Sequence, residues 1–159
     1  MLFRSTYADF TRRQEAVVSG GRGRRLWRQW RRRLEGAEPS LELPTSRQRT
    51  AAPTHCGETR AWFFDEELAA ALRRLAVAES TTLFVTLLAA FQVLLARYSG
   101  QRKFLVGTAS LGRHREEYEN VVGYFLNQLP LRANLSEEPT FRELLASVRD
   151  EVLGAMDLE

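Results

Sequence analysis

The sequence predicts an α/β layered fold, on three observations. Thr59–Phe64 (TRAWFF) has the aromatic content of a β-strand. Phe104–Thr108 is a short continuous apolar run, the pattern of a strand buried on both faces. Between and after these runs stand segments whose apolar residues recur at helical spacing. Strands that alternate with helices bury their apolar faces by layering.

The elements follow in chain order. Tyr7–Val18 (YADFTRRQEAVV) reads as a helix with Tyr7, Phe10 and Gln14 on one side, broken by Ser19-Gly20-Gly21-Arg22-Gly23. A second helix is expected over Arg24–Leu34, with Leu26, Trp27, Trp30 and Leu34 on one face and arginines on the other, ended by Gly36. Residues 37–54 carry Pro39, Pro44 and Pro53 and read as an extended connector and a boundary between sub-structures. Asp65 is an N-cap for a helix that should bury Leu68, Leu72 and Leu75. Ser80-Thr81 should cap the apolar helix Leu83–Tyr98, which closes at Gly100. A last helix opens after Pro139 on the capping-box pattern Thr140-Phe141-Arg142-Glu143. Its stripe is Phe141, Leu144, Leu145, Val148 and Val152.

Composition narrows the class. At 159 residues, 44% hydrophobic and 27% charged, the chain can bury a core of its own. Its one cysteine, Cys56, excludes an intrachain disulfide and a cysteine-based metal site, and a reducing cytoplasm is the expected compartment. The N-terminus does not resemble a signal peptide. The longest apolar run, Leu83–Ala96, is interrupted by Thr86 and Gln92 and is shorter than the ~20 residues a bilayer requires. It reads as a core helix, and no membrane partner is expected.

Ten arginines lie between Arg4 and Arg33, while Lys103 is the only lysine. Genomic base composition explains the preference for arginine over lysine. The Arg22–Arg33 tract with Trp27 and Trp30 is better read as a solvated helix face than as a nucleic-acid surface, because no recognition motif accompanies it. His55 beside Cys56 does not make a zinc site. His114, within Gly112-Arg113-His114-Arg115, reads as a surface-loop histidine rather than a general base, since no nucleophile stands near it.

The stretch from Phe104 to Leu135 reads as a strand, a glycine turn, an Arg/Glu-rich helix or loop and a second strand. Alternation puts Phe125, Asn127, Leu129, Leu131, Ala133 and Leu135 on one face, with Gln128, Arg132 and Asn134 on the other. Asn127 is the one amide on the apolar side. It must be hydrogen-bonded by neighbouring backbone, or line a wet cavity or tunnel. Pro130 weakens the strand's regularity.

Several segments together resemble the condensation domains of nonribosomal peptide synthetases. Tyr7-Ala8-Asp9-Phe10 is similar to the family's Tyr-x-Asp-Tyr/Phe motif. Leu26-Trp27-x-x-Trp30 followed by Leu41-Glu42-Leu43-Pro44-Thr45 resembles its linker signature, with a mild departure at Ser46-Arg47-Gln48-Arg49. Thr82–Gln101, Val106-Gly107-Thr108 with Gly112-Arg113, and Val122-Gly123-Tyr124-Phe125-Leu126-Asn127 resemble further family motifs in the same order.

The resemblance implies a chloramphenicol-acetyltransferase-like layered sandwich, here partial: one incomplete lobe with an inter-lobe linker. Residues 1–36 would end the N-terminal lobe, 37–57 form the linker and 58–159 begin the C-terminal lobe. It implies an acyltransferase that joins two carrier-delivered groups by an amide bond. Carrier proteins would bring the phosphopantetheine, and no cofactor or metal would bind this chain directly. Asn127, Arg113 and Tyr124 would line the substrate tunnel, while Tyr7, Asp9, Gly107 and Gly123 would be structural. The family's catalytic His-His-x-x-x-Asp-Gly motif is absent from this sequence, so no catalytic residue is expected here and the chain alone should be inactive. The expected partners are carrier proteins and an N-terminal condensation lobe, not nucleic acid. A surface left open by a missing lobe should also promote self-association. The alternative is a non-enzymatic module that docks a carrier or complements a lobe.

Overall fold

The computed structural model describes residues 5–38, 40–45, 57–113 and 115–159. His55, Cys56, His114, Pro39, Pro53 and Ser46–Arg49 lie outside the described residues. Five α-helices and two strands follow in the order α1 (Tyr7–Ser19), α2 (Gly21–Leu34), α3 (Glu66–Ala78), α4 (Leu83–Ser99), β1 (Lys103–Ser110), β2 (Asn127–Asn134) and α5 (Phe141–Met156). A 3-10 turn, Glu116–Tyr118, lies between the strands. The chain divides into two compact units.

The first unit gathers residues 1–39, 103–134 and 150–159. Helix α1 starts on a capping box: Thr6 Oγ1 accepts from Asp9 N, and Asp9 Oδ2 accepts from Thr6 N at 2.8 Å. These bonds, with Arg12 at 2.7 Å, hold the Asp9 carboxyl below its ordinary pKa. The predicted break over residues 19–23 is confined to Gly20, and α2 begins at Gly21. Gly23 permits this tight corner: a Cβ there would collide with the Val17 and Val18 carbonyl oxygens. Strands β1 and β2 pair antiparallel, from Lys103 against Asn134 to Ser110 against Asn127.

The register bears out the alternation. Phe104, Val106 and Thr108 oppose Ala133, Leu131 and Leu129 on one face, and the last three are buried. β1 is not buried on both faces as its apolar run suggested: Lys103, Gly107 and Ala109 are exposed on the other face. In a two-stranded sheet each strand is an edge, which also accommodates Pro130 opposite Gly107.

One carboxylate ties three elements of this unit together. Glu151, on α5, receives Arg33 Nη2 of α2 at 2.7 Å on Oε2 and the Arg132 N–H of β2 at 3.1 Å on Oε1. Both side chains of the Arg33–Glu151 pair are largely buried. Gly154 leaves the passage for Arg33, since a Cβ there would meet the guanidinium.

The second unit comprises residues 40–102 and 135–149. Its extended start is held by one amide: Gln101 Oε1 accepts from Glu42 N at 2.6 Å and Gln101 Nε2 donates to Ser40 O at 2.8 Å. Thr59–Phe64 is not a strand. It runs without ladder partners, and Trp62, Phe63 and Phe64 are exposed. Aromatic content favours a strand only where a neighbour supplies hydrogen bonds and a packing surface.

Asp65 caps α3 as predicted, accepting from Leu68 N at 2.7 Å. Within α3, Ala76 is buried and Leu72 and Leu75 are half-buried, but Leu68 is exposed. The cap of α4 is Thr82, two residues after Ser80, and Gly100 closes it in the left-handed region at φ 74°. Thr140 and Glu143 form the predicted box at the start of α5, holding the Glu143 carboxyl below its ordinary pKa. Leu144, Leu145 and Val148 are buried, Val152 is half-buried, and Phe141 is exposed.

Helix α4 departs most from expectation. Val85, Leu88, Ala89 and Leu95 are buried as a core helix requires, while Phe84, Leu87, Phe91, Leu94 and Tyr98 form an exposed stripe. Among the described residues no single helix is long and apolar enough to cross a membrane.

Removing the Glu151 hub should be costly, because Arg33 would stay largely buried without its counter-ion. Glu151→Ala is expected to lower the unfolding free energy by about 2 kcal/mol. Urea titration followed by circular dichroism checks this, and an unchanged midpoint would contradict it.

Candidate functional site: a cavity beside an aromatic cluster

The site is built around Phe125, within the first unit. Phe125 is buried. The Phe10 ring lies 4.5 Å from it, the Tyr7 ring meets it edge-on at 5.4 Å, and the Tyr118 ring stands at 6.0 Å. Such tilted and edge-to-face pairs are the favoured aromatic geometries. Thus two residues of α1, one turn apart, grip a segment more than 100 positions away.

Two glycines make that grip possible. A Cβ on Gly123 would strike the Tyr7 ring, 2.8 Å from Cγ, so the ring lies flat against the backbone. From there the Tyr7 hydroxyl donates to the Tyr124 carbonyl at 2.8 Å. Gly112 has φ +62°, and a Cβ there would collide with the Phe125 carbonyl oxygen.

Arg113 completes the cluster. Its guanidinium carbon sits 4.0 Å above the Phe125 ring, and Nη1 donates to the carbonyls of Tyr118 at 2.5 Å and Val121 at 2.8 Å. This arginine is a clamp on the segment between the strands. A planar donor set that can stack and bond together is what arginine supplies and lysine does not.

Beside the cluster opens a cavity of about 910 Å³. Trp27 and Trp30 of α2, Tyr124, Leu126 and Asn127 are among its walls. Asn127 stands at the start of β2, opposite Ser110, on the face that carries Leu129, Leu131 and Ala133. It is exposed rather than buried, and no protein hydrogen bond to its side chain occurs among the described residues. Of the two fates open to that amide, it lines a cavity. Ser110 Oγ, which stands opposite Asn127, donates to Glu159 Oε2, and Glu159 also lines the cavity.

The predicted residues are placed unevenly. Asn127 and Tyr124 line the cavity, whereas Arg113 does not. Tyr7, Asp9 and Gly123 have the packing and capping contacts given above. Gly107 meets nothing within 4 Å of where a Cβ would stand, so packing within this chain does not require a glycine there. Among the described residues no group of three histidine, cysteine or acidic side chains could hold a metal. Sequence reasoning missed the tryptophan wall, where helical spacing showed only an apolar face, and the Arg113 clamp, which no spacing signals.

A sequence model of the condensation domain matches residues 2–158. The chain belongs to the condensation-domain family of nonribosomal peptide synthetases. It is 53% identical over 126 residues to a linear gramicidin synthase of Brevibacillus parabrevis, covering 79% of this chain and 2% of that one. Among solved structures it resembles the X-domain from teicoplanin biosynthesis, with a TM-score of 0.89, 26% identity, and 98% of this chain matched to 36% of that one. It also resembles the SgcC5 protein of Streptomyces globisporus, with a TM-score of 0.77, 31% identity, and 98% of this chain matched to 35% of that one. The condensation-domain chain therefore spans about a third of those solved chains, and its partial chloramphenicol-acetyltransferase-like fold agrees with them.

The Tyr7–Gly123 contact is directly testable in this condensation-domain segment. Gly123→Ala should destabilise by about 1–3 kcal/mol through overpacking, and Tyr7→Phe by about 1 kcal/mol through the lost hydrogen bond. In a Tyr7→Ala background the Gly123→Ala penalty should largely vanish. A double-mutant cycle by thermal unfolding measures this, and strict additivity would rule out the contact.

Proposed function

We propose that the chain is the central part of a peptide-bond-forming condensation domain. In this reading residues 1–36 end the first lobe, 37–57 link the lobes, and 58–159 begin the second. The observation that carries the reading is the meeting of two family-like segments, Tyr7–Phe10 and Gly123–Asn127, at one cavity. The β1–β2 hairpin of the second lobe then packs on the helices that end the first.

The chemistry follows from the substrates such a domain joins. An acceptor amine attacks the carbonyl of a donor thioester. The C–N bond forms, the C–S bond breaks, the donor thiol leaves on its carrier, and the amine loses a proton. The phosphopantetheine arm belongs to the carrier. Toward such an arm this chain offers the Asn127 amide and the Tyr124 phenol, groups able to bond to its amide linkages. What the chain does not carry is the family's paired-histidine motif, so positioning alone is left to lower the barrier.

The test supplies donor and acceptor on carrier proteins and detects amide by mass spectrometry. The chain alone should give none, and the chain joined to a lobe that bears the histidine motif should give amide. In the joined enzyme Asn127→Ala should reduce turnover about tenfold or more, the order lost with one positioning contact. Turnover by the chain alone, or none by the joined enzyme, would refute the proposal.

The exposed α4 stripe favours a second property, association through an uncovered lobe surface. The chain alone should sediment as more than a monomer, and Phe91→Ser with Leu94→Ser should shift it toward monomer. A wild-type monomer that unfolds cooperatively would end this idea.

A further inference from the structure

We propose that the outer face of α2 is a docking surface for an acidic helix of a partner protein. Arg24, Arg25, Arg28, Arg31 and Arg32 are all exposed, and none forms an ion pair among the described residues. They occupy one side of a 14-residue helix that contains no carboxylate. The opposite side is committed to packing: Leu26, Trp30 and Leu34 are half-buried, and Arg33 is held by Glu151.

Arg31 and Arg32 suit the C-terminal end of the helix dipole, but the rest of this face works against the helix. Arg22 and Arg24 stand in the first turn, where the helix dipole is positive and acidic residues are favoured. Arg24, Arg28 and Arg32 follow one another at four-residue spacing, and like charges so placed repel. Outside α2, Arg12, Arg60, Arg73, Arg102, Arg115 and Arg142 each pair with a carboxylate. A genomic preference for arginine explains the residue type. It does not explain why unpaired copies gather on one helix face.

The geometry selects the partner. Arg24 to Arg32 spans about 12 Å, two turns of a facing helix. A hollow of about 220 Å³ lies among Arg25, Arg28, Gln29 and Arg32. Guanidinium forks suit carboxylates bidentately. Glu35, just past the helix, is exposed and would repel a longer polyanion such as nucleic acid. The surface therefore fits a short acidic helix with carboxylates three to four residues apart.

The test uses the full chain and four probes: a 16-residue helical peptide with glutamate at every third or fourth position, its glutamine counterpart, a 16-base-pair DNA duplex, and vesicles with one-third anionic lipid. Binding is read by fluorescence anisotropy and co-sedimentation at two salt concentrations. The glutamate peptide should bind, more weakly at high salt, and the glutamine peptide should not. The triple variant R24Q/R28Q/R32Q should weaken the glutamate peptide about tenfold, as three exposed charge pairs would. The control R60Q/R73Q/R74Q removes the same net charge elsewhere and should leave binding nearly unchanged. Equal loss in both variants, no peptide binding, or tighter binding of DNA or vesicles than of peptide would each overturn the proposal. Circular dichroism of both variants excludes unfolding as the cause.

Discussion

The contact on which the first unit depends is the Tyr7 ring lying against the bare backbone of Gly123. The ring can lie there only because no Cβ intervenes, and once there its hydroxyl reaches the Tyr124 carbonyl. That fixes α1 on the segment before β2, brings Phe10 to 4.5 Å from Phe125, and sets the wall on which Asn127 opens. Arg113 stacks on the same Phe125 ring. A stacked guanidinium that also bonds two carbonyls leaves the segment between the strands little freedom. The cavity wall is thus preorganised in part by Tyr7, Gly123 and Arg113, which do not themselves line it, a division of labour that well-positioned sites require.

Local rules were legible where they rest on neighbours in sequence. Asp65, Gly100 and the Thr140–Glu143 box behave as their residue types demand, because caps are satisfied within four residues. Strand parity was legible for the same reason: the Asn127 side follows from counting by two, and the register bears it out. The errors arose where a partner far along the chain decides. Thr59–Phe64 has the residues of a strand but no ladder to join. The misreading of residues 21–23 as a helix breaker is instead local: Gly23 allows α2 to start close against the Val17 and Val18 carbonyls that end α1. The site was legible only through the family resemblance and the lone amide. The Trp27–Trp30 wall and the Arg113 clamp depend on long-range packing, which no periodicity encodes.

Helix α4 holds the remaining physical puzzle. Gln92 is fully buried, and neither its Nε2 nor its Oε1 has a partner among the described residues. An unsatisfied buried amide costs about 1–3 kcal/mol. On the same helix Phe84, Leu87, Phe91, Leu94 and Tyr98 are exposed. A helix choosing its faces for this chain alone would do the reverse, and would bury the phenylalanines. The inversion is understandable if the surroundings of α4 are set by more than these 159 residues. The chain spans 35–36% of two solved chains that it resembles. In the proposed reading the rest of the domain packs on the stripe. The cost of Gln92 is then tolerated because the helix is fixed by burial on two sides rather than one, so that hydrophobic area, and not the amide, decides its orientation.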